Sequence, residues 1–248
     1  MTIFIFKTVI GFLIIITALA GGYLAFRIRH SSKSTLYFSL GNTFAAGIFL
    51  GAGLIHMLPD ATEGFHAVLE SEFPFGPFVA SLGFLLILFV EKAMTGSLKE
   101  STSSYVLILI LSVHSIIVGI AFGTESEMEQ SIIIAIAVLA HKGSAAFALS
   151  VSMLKSKMQT ERIIKLIMMF SFMTPLGILI GVWIANVLSG QAAQLSIALF
   201  DALAAGTFLY VAIMEIFNEE FEQRSHTYLK LMLATTGLLF MALLALWL

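Results

Sequence analysis

Apolar residues along this chain come in long blocks rather than in an alternating or short-period pattern. Eight such blocks can be traced, roughly over 3–26, 36–58, 77–94, 105–123, 131–153, 163–187, 195–217 and 229–248. Each is about 20 residues long, the length a helix needs to cross the roughly 30 Å hydrocarbon core of a bilayer. None alternates apolar with polar residues as a barrel strand would, and a helix satisfies every backbone polar group within itself. The pattern therefore predicts an all-α integral membrane protein with eight transmembrane helices. Short polar breaks between the blocks leave no room for a soluble domain, so residues 1–248 are expected to form a single transmembrane domain. The first block is long and is followed by RIRHSSK instead of a small-residue cleavage site, so it is predicted to be a retained helix.

Composition strengthens this reading: 59% of residues are hydrophobic, 11% are charged, and the mean hydropathy is +1.00. With no cysteine, any soft metal would have to be held by His, Met or carboxylate. The net charge of −2 comes without a dense Lys/Arg cluster, so no nucleic-acid partner is expected. Charge placement does give an orientation. Loop 1–2 carries Arg27, Arg29 and Lys33, loop 3–4 Lys92 and Lys99, loop 5–6 Lys155, Lys157, Arg162 and Lys165, and loop 7–8 Arg224 and Lys230. Loops 2–3 and 4–5 are acidic, with Asp60, Glu63, Glu70 and Glu72 in one and Glu125, Glu127 and Glu129 in the other. Because cytoplasmic loops carry the excess of Lys and Arg, both termini are predicted to face outside. Lys7 and Lys142 are the two basic residues left over. Small residues at Ala45, Gly47, Gly51, Gly53, Gly177 and Gly181 suit close helix packing, and Pro59 and Pro175 are expected to end or kink their helices.

Ionisable groups inside hydrocarbon are costly, which makes each a functional candidate. His114 and His141 each lie about ten residues into the fourth and fifth blocks, which at about 1.5 Å per residue puts both near mid-membrane. A short turn makes those two spans expected neighbours. A metal shared between two neutral imidazoles is then geometrically reasonable. The alternative is that each histidine bonds a carbonyl or a serine, with Ser112, Ser115 and Ser144 nearby; the matched depth tips the balance slightly towards the metal. At the outer end His56, Met57, Asp60 and Asp201 could gather cations or form an ordinary solvated rim. At the inner end Glu91, Glu215 and Glu219 offer hard oxygen ligands for release, the last two sharing a face at i, i+4. Lys142 must be neutral, paired with a carboxylate, or facing water; a Schiff base with retinal is a further option. Met57, Met153, Met168, Met169, Met173 and Met214 are read as packing residues.

Three stretches resemble the ZIP (Zrt/Irt-like protein) family of divalent-metal transporters, in particular its second subfamily. AAGIFLGAGLIHMLPDA resembles the family's second span, HSIIVG and HKGSAAFALS resemble its span 4 HSxxEG and span 5 HKG motifs, and AGTFLYVAIMEIFNEEF resembles its span 7. The similarity runs from about Asn42 to Glu220. It implies eight spans with outward termini in a ZIP-type helix bundle, and zinc or another divalent cation carried as substrate towards the cytoplasm. No cofactor is expected, and the partners are the lipid bilayer and the metal ion, with a homodimer left open. The membrane would be a plasma membrane or a bacterial inner membrane. The resemblance makes His114 and His141 the mid-membrane metal ligands. Ser115 and Lys142 stand where other members have ligands of a second metal, so that second position is expected to be lost. Val118 stands where the HSxxEG motif has Glu, leaving two imidazoles without a carboxylate and favouring a softer or more weakly held cation. The His-rich loop of many relatives is reduced to MTGSLKESTSS.

Two readings follow. One is an importer working by alternating access, past His56, Asp60 and Asp201 to the central pair and out by Glu91, Glu215 and Glu219. The other is a ZIP-fold protein that has lost transport and acts as metal sensor or scaffold, as Val118 and Lys142 would suggest. An enzyme is not expected, since an intramembrane hydrolase needs three ligands and a general base at one depth. Retinal binding fits the span count and flanking motif less well.

Overall fold

The computed structural model describes residues 2–95, 101–187, 190–222 and 225–246; Lys99 and Arg224, counted above for orientation, lie outside them. The described residues are helical throughout apart from short turns, and eight helices are long and apolar enough to cross a membrane. Span 1 is α1 (Thr2–Ile28), span 3 is α4 (Phe75–Thr95), and span 4 is α5 (Ser101–Thr124). Spans 5, 6 and 8 are α6 (Met128–Lys155), α7 (Thr160–Val187) and α10 (Thr227–Ala245). Spans 2 and 7 are composite. Span 2 joins α2 (Ser34–Gly51) to α3 (Leu58–Leu69) through a widened π-helical segment, Ala52–Met57. Span 7 joins α8 (Gln191–Tyr210) to α9 (Asn218–Glu222) through a second such segment, Val211–Phe217.

Of the two outcomes expected at Pro59, ending the helix does not occur, and the wide turn before it explains why. Its ring would strike the carbonyl one α-turn earlier, and it has no N–H to give. Widening the preceding turn, where the Leu58 N–H bonds to Gly53 O five residues back, lets the span continue to Leu69. Pro175 likewise sits inside an unbroken α7, and Lys142 Nζ of a neighbouring span donates to Phe170 O and Thr174 Oγ1 beside it.

The helices sort into two bundles, spans 1, 4, 5 and 6 in one and spans 2, 3, 7 and 8 in the other. Small residues set these pairings, because lipid gives no hydrophobic drive and backbones must approach closely to gain dispersion energy. Gly119 and Gly123 of span 4 lie against Gly177 and Gly181 of span 6, and a Cβ on Gly177 would come within 2.3 Å of Ile116 O. In the second bundle a Cβ on Gly47 would come within 2.0 Å of Ala234 O in span 8. These glycines are therefore packing residues, as expected. Spans 4 and 5 are neighbours, as the short turn between them predicts, although span 4 lies chiefly along span 6 and span 5 along span 1. Glycine stripes outweigh loop length. Spans 4 and 5 meet at local polar contacts, Ser104 Oγ to Ser152 Oγ at 2.9 Å and Lys142 Nζ to Ser115 Oγ at 2.9 Å. Between the bundles runs a seam where spans 4 and 5 meet spans 7 and 2.

Candidate metal centre

His114 on α5 and His141 on α6 are each 3% exposed, and their ring centroids are 6.0 Å apart at 69°. Two metal–nitrogen bonds of about 2.0–2.1 Å, added to the half-width of each ring, span a gap of this size. Phe208 of α8 packs against both rings, stacked on His114 at 3.7 Å and edge-on to His141 at 4.8 Å. The pair thus lies at the seam, with both imidazoles from one bundle and an aromatic wall from the other.

A residue missed in the sequence fixes the state of His114. Thr207 Oγ1 lies 2.7 Å from His114 Nδ1 and donates its single proton to Ala204 O at 2.7 Å. The hydroxyl can then only accept from the ring, so Nδ1 carries the hydrogen and Nε2 the lone pair. That Nε2 is buried without a hydrogen-bond partner, as is Nδ1 of His141. The serines offered as an alternative do not fill the gap: Ser112 Oγ is itself without a partner and Ser115 serves Lys142. Thr207 lies in the AGTFLYV stretch, whose resemblance pointed to the span but not to this hydroxyl.

Val118, one turn after His114, is buried and apolar, and among the described residues no carboxylate takes its place. Among the described residues no three or more His, Asp or Glu converge to hold a metal. Among the described residues Lys142, 2% exposed, meets no carboxylate either; Ser115 Oγ at 2.9 Å, Thr174 Oγ1 at 3.0 Å and Phe170 O at 3.4 Å accept from it. Its Nζ lies 3.8 Å above the Phe170 ring. Neutral acceptors and a π-face replace the ion pair, which is how an amine is accommodated without importing a second buried charge. Ser115 and Lys142 thus bond each other.

At the acidic end, His56 Nδ1 pairs with Asp60 Oδ2 at 3.1 Å, one turn along the same helix. A cavity of about 350 Å³ opens there, lined by Asp60, Asp201, Glu63, Glu125, Gln130 and Gln194 among others. Asp201 lies within electrostatic range of Asp60, His56 and Glu125. Glu63 and Glu125 had been counted only as loop charges; the acidity of both loops was the signal for them.

At the basic end, Glu91 accepts from Tyr210 Oη and from Lys92 Nζ, the latter at 3.0 Å. Glu215 lies in the wide turn of span 7, within electrostatic range of Glu91 and Glu219. Glu219 is exposed and meets Lys155 at 3.0 Å. Among the described residues the most buried carboxylate of this end is one that sequence reasoning passed over: Glu220, 4% exposed, accepts from Lys155 Nζ at 2.7 Å and Asn42 Nδ2 at 2.9 Å. No helical-wheel count from Glu215 could choose between Glu219 and Glu220, because the wide turn shifts the register in between. Of the methionines, Met57 and Met153 are in the core, while Met168, Met169 and Met214 are exposed.

Comparison with known proteins agrees with this geometry. The sequence profile of the ZIP Zinc transporter family matches residues 4–104 and 97–245. Zinc transporter ZIP2 of Mus musculus is 30% identical over 263 aligned residues, covering 84% of this chain and 85% of that protein. Zinc transporter ZIP1 of Mus musculus is 30% identical over 247, covering 80% and 75%, and ZIP1 of Homo sapiens is 28% identical over 246, covering 80% and 75%. Together the eight apolar helices, the buried histidine pair and a family match across nearly the whole length make this chain a multi-pass membrane protein that belongs to the ZIP zinc transporter family.

Proposed function

We propose that this chain carries a divalent cation, zinc foremost, towards the cytoplasm through a mid-membrane site at His114 and His141. Family membership supports divalent-metal transport and a role other than catalysis. The observation that carries the site is the pair of buried imidazole nitrogens, His114 Nε2 and His141 Nδ1, that have no hydrogen-bond partner. A buried polar atom without a partner costs about 1–3 kcal/mol, a cost that a bound cation would remove. On this reading the acidic cavity at Asp60 and Asp201 draws cations from outside, and Glu91, Glu215 and Glu219 receive them at the cytoplasmic end. The concentration of Lys and Arg in the loops at that end supports the orientation, and with it termini that face outward. Alternating access would come from one bundle rocking against the other, since the histidines stand on one side of the seam and Phe208 and Thr207 on the other. With two nitrogens and no carboxylate, the cation is held weakly enough to leave, its remaining coordination filled by water.

A second reading, a ZIP-fold sensor or scaffold without transport, is favoured by Val118 and by the lack of a third convergent ligand among the described residues. Zinc uptake into proteoliposomes separates the two. Transport predicts uptake by the wild-type protein that collapses in the His114→Ala/His141→Ala double variant. Uptake that persists unchanged in the double variant refutes the site, and no uptake by well-folded wild-type protein refutes transport.

A further inference from the structure

Hydrogen bonds and ion pairs between described side chains almost all stay inside one bundle. Lys7 reaches from span 1 to the carbonyls that end span 4, Arg29 from span 1 to Thr160 at the start of span 6, Arg162 from span 6 to Tyr105, and Lys142 from span 5 to spans 4 and 6. Asn42 joins span 2 to span 7, and Tyr210 joins span 7 to span 3. Among the described residues two links cross the seam. One is His114 to Thr207 at the centre, and the other is Lys155, on the last turn of span 5, to Glu219 and Glu220 of span 7 at the basic end.

From this placement we infer that Lys155 is the latch of the inner gate, a built-in cation that holds the two bundles together by occupying the carboxylates a departing metal would meet. The geometry is that of a prepared clasp. The ammonium spans two adjacent carboxylates at 3.0 and 2.7 Å. Glu220 is held from behind by Asn42 Nδ2 on span 2 at 2.9 Å and by Lys230 Nζ on span 8, which donates to its backbone oxygen. One half of the clasp is thus braced by two other helices of its bundle, while the other is a single side chain, 31% exposed, at a helix end. A partly buried charge pair is screened less than a surface pair and costs more to open. A divalent cation arriving at Glu219 and Glu220 competes for the same oxygens with twice the charge, so release of metal and release of the latch are the same event. The inference rests on the transport reading for its meaning, but the latch itself can be measured without transport.

The chain has no cysteine, so spin labels can be placed at will. Gln159→Cys, after span 5, and Tyr228→Cys, at the start of span 8, are both exposed, one on each bundle at the basic end. Pulsed electron–electron distances are measured in metal-free proteoliposomes for the wild-type background, Lys155→Gln and Lys155→Arg. The expected result is a several-fold rise in the longer-distance population for Lys155→Gln and a wild-type distribution for Lys155→Arg, which keeps the charge. Should Lys155→Gln fold poorly, Glu219→Gln is expected to give a smaller shift in the same direction. Distributions that coincide for the wild-type background, Lys155→Gln and Glu219→Gln overturn the latch. Because no metal flux enters the measurement, a protein that fails the uptake assay yet shows the shift refutes transport and leaves the latch standing.

Discussion

Replacing Thr207 by Val tests whether the buried histidine pair is set by a hydroxyl on the opposite bundle. The change is close to isosteric and removes the oxygen that accepts from His114 Nδ1 at 2.7 Å. Two effects follow. A buried ring N–H loses its partner, at a cost of about 1–3 kcal/mol in stability. The ring is also released from the tautomer that leaves Nε2 bare, since with no acceptor at Nδ1 the hydrogen can reside on either nitrogen. Partners that orient a metal-bound histidine typically contribute about 10–100-fold in affinity, equivalent to about 1.4–2.7 kcal/mol. Zinc affinity measured by calorimetry on detergent-solubilised protein should fall by that factor in Thr207→Val and stay close to wild type in Thr207→Ser, which keeps the hydroxyl. Nitrogen-15 spectra of labelled histidine give an independent readout. Wild type and Thr207→Ser should show one neutral tautomer for His114, and Thr207→Val a mixture. A Thr207→Val protein with wild-type affinity and a single tautomer refutes the reasoning, because packing alone would then be orienting the ring.

Two further outcomes are expected. Val118→Glu places a carboxylate one turn after His114, where the family motif has one, and uptake measured with radioactive zinc in proteoliposomes should rise several-fold; unchanged or lower uptake would show that Val118 is not what limits the site. Gly177→Leu forces a side chain against Ile116 O, where even a Cβ would be 2.3 Å away. It should cost at least the 1–3 kcal/mol or so of overpacking, read as a lowered Tm in detergent, whereas Gly11→Ala, whose new Cβ meets only Ile178 Cδ1 at 3.9 Å, should cost less.

The chain makes its class legible because in a membrane every spanning segment must satisfy its own backbone and hide its polar groups. Long apolar blocks, rare buried charges and the sorting of Lys and Arg to alternate loops follow from that demand, and all can be read without a structure. The same cost made His114, His141 and Lys142 conspicuous, since only a few ionisable groups interrupt those blocks. Partnership is another matter. A short turn shows that spans 4 and 5 are neighbours, but not that Gly119, Gly123, Gly177 and Gly181 bind span 4 still more closely to span 6, because only backbone approach in three dimensions reveals which stripes meet. Glu220 was passed over for Glu219, one residue away, because the wide turn at Val211–Phe217 shifts the register by an amount no helical wheel contains. Thr207 was invisible for a related reason: a threonine on an apolar helix satisfies itself against its own backbone in most settings, and nothing in one strand of sequence says that a histidine 93 residues away will bring its ring nitrogen to that oxygen. Sequence alone determined that this is a helical membrane protein with two deep imidazoles, because solvation in lipid acts on each span separately. Tertiary structure decided which helix faces which, which tautomer the histidine holds and which carboxylate is clasped, because those depend on contacts between spans that local rules do not encode.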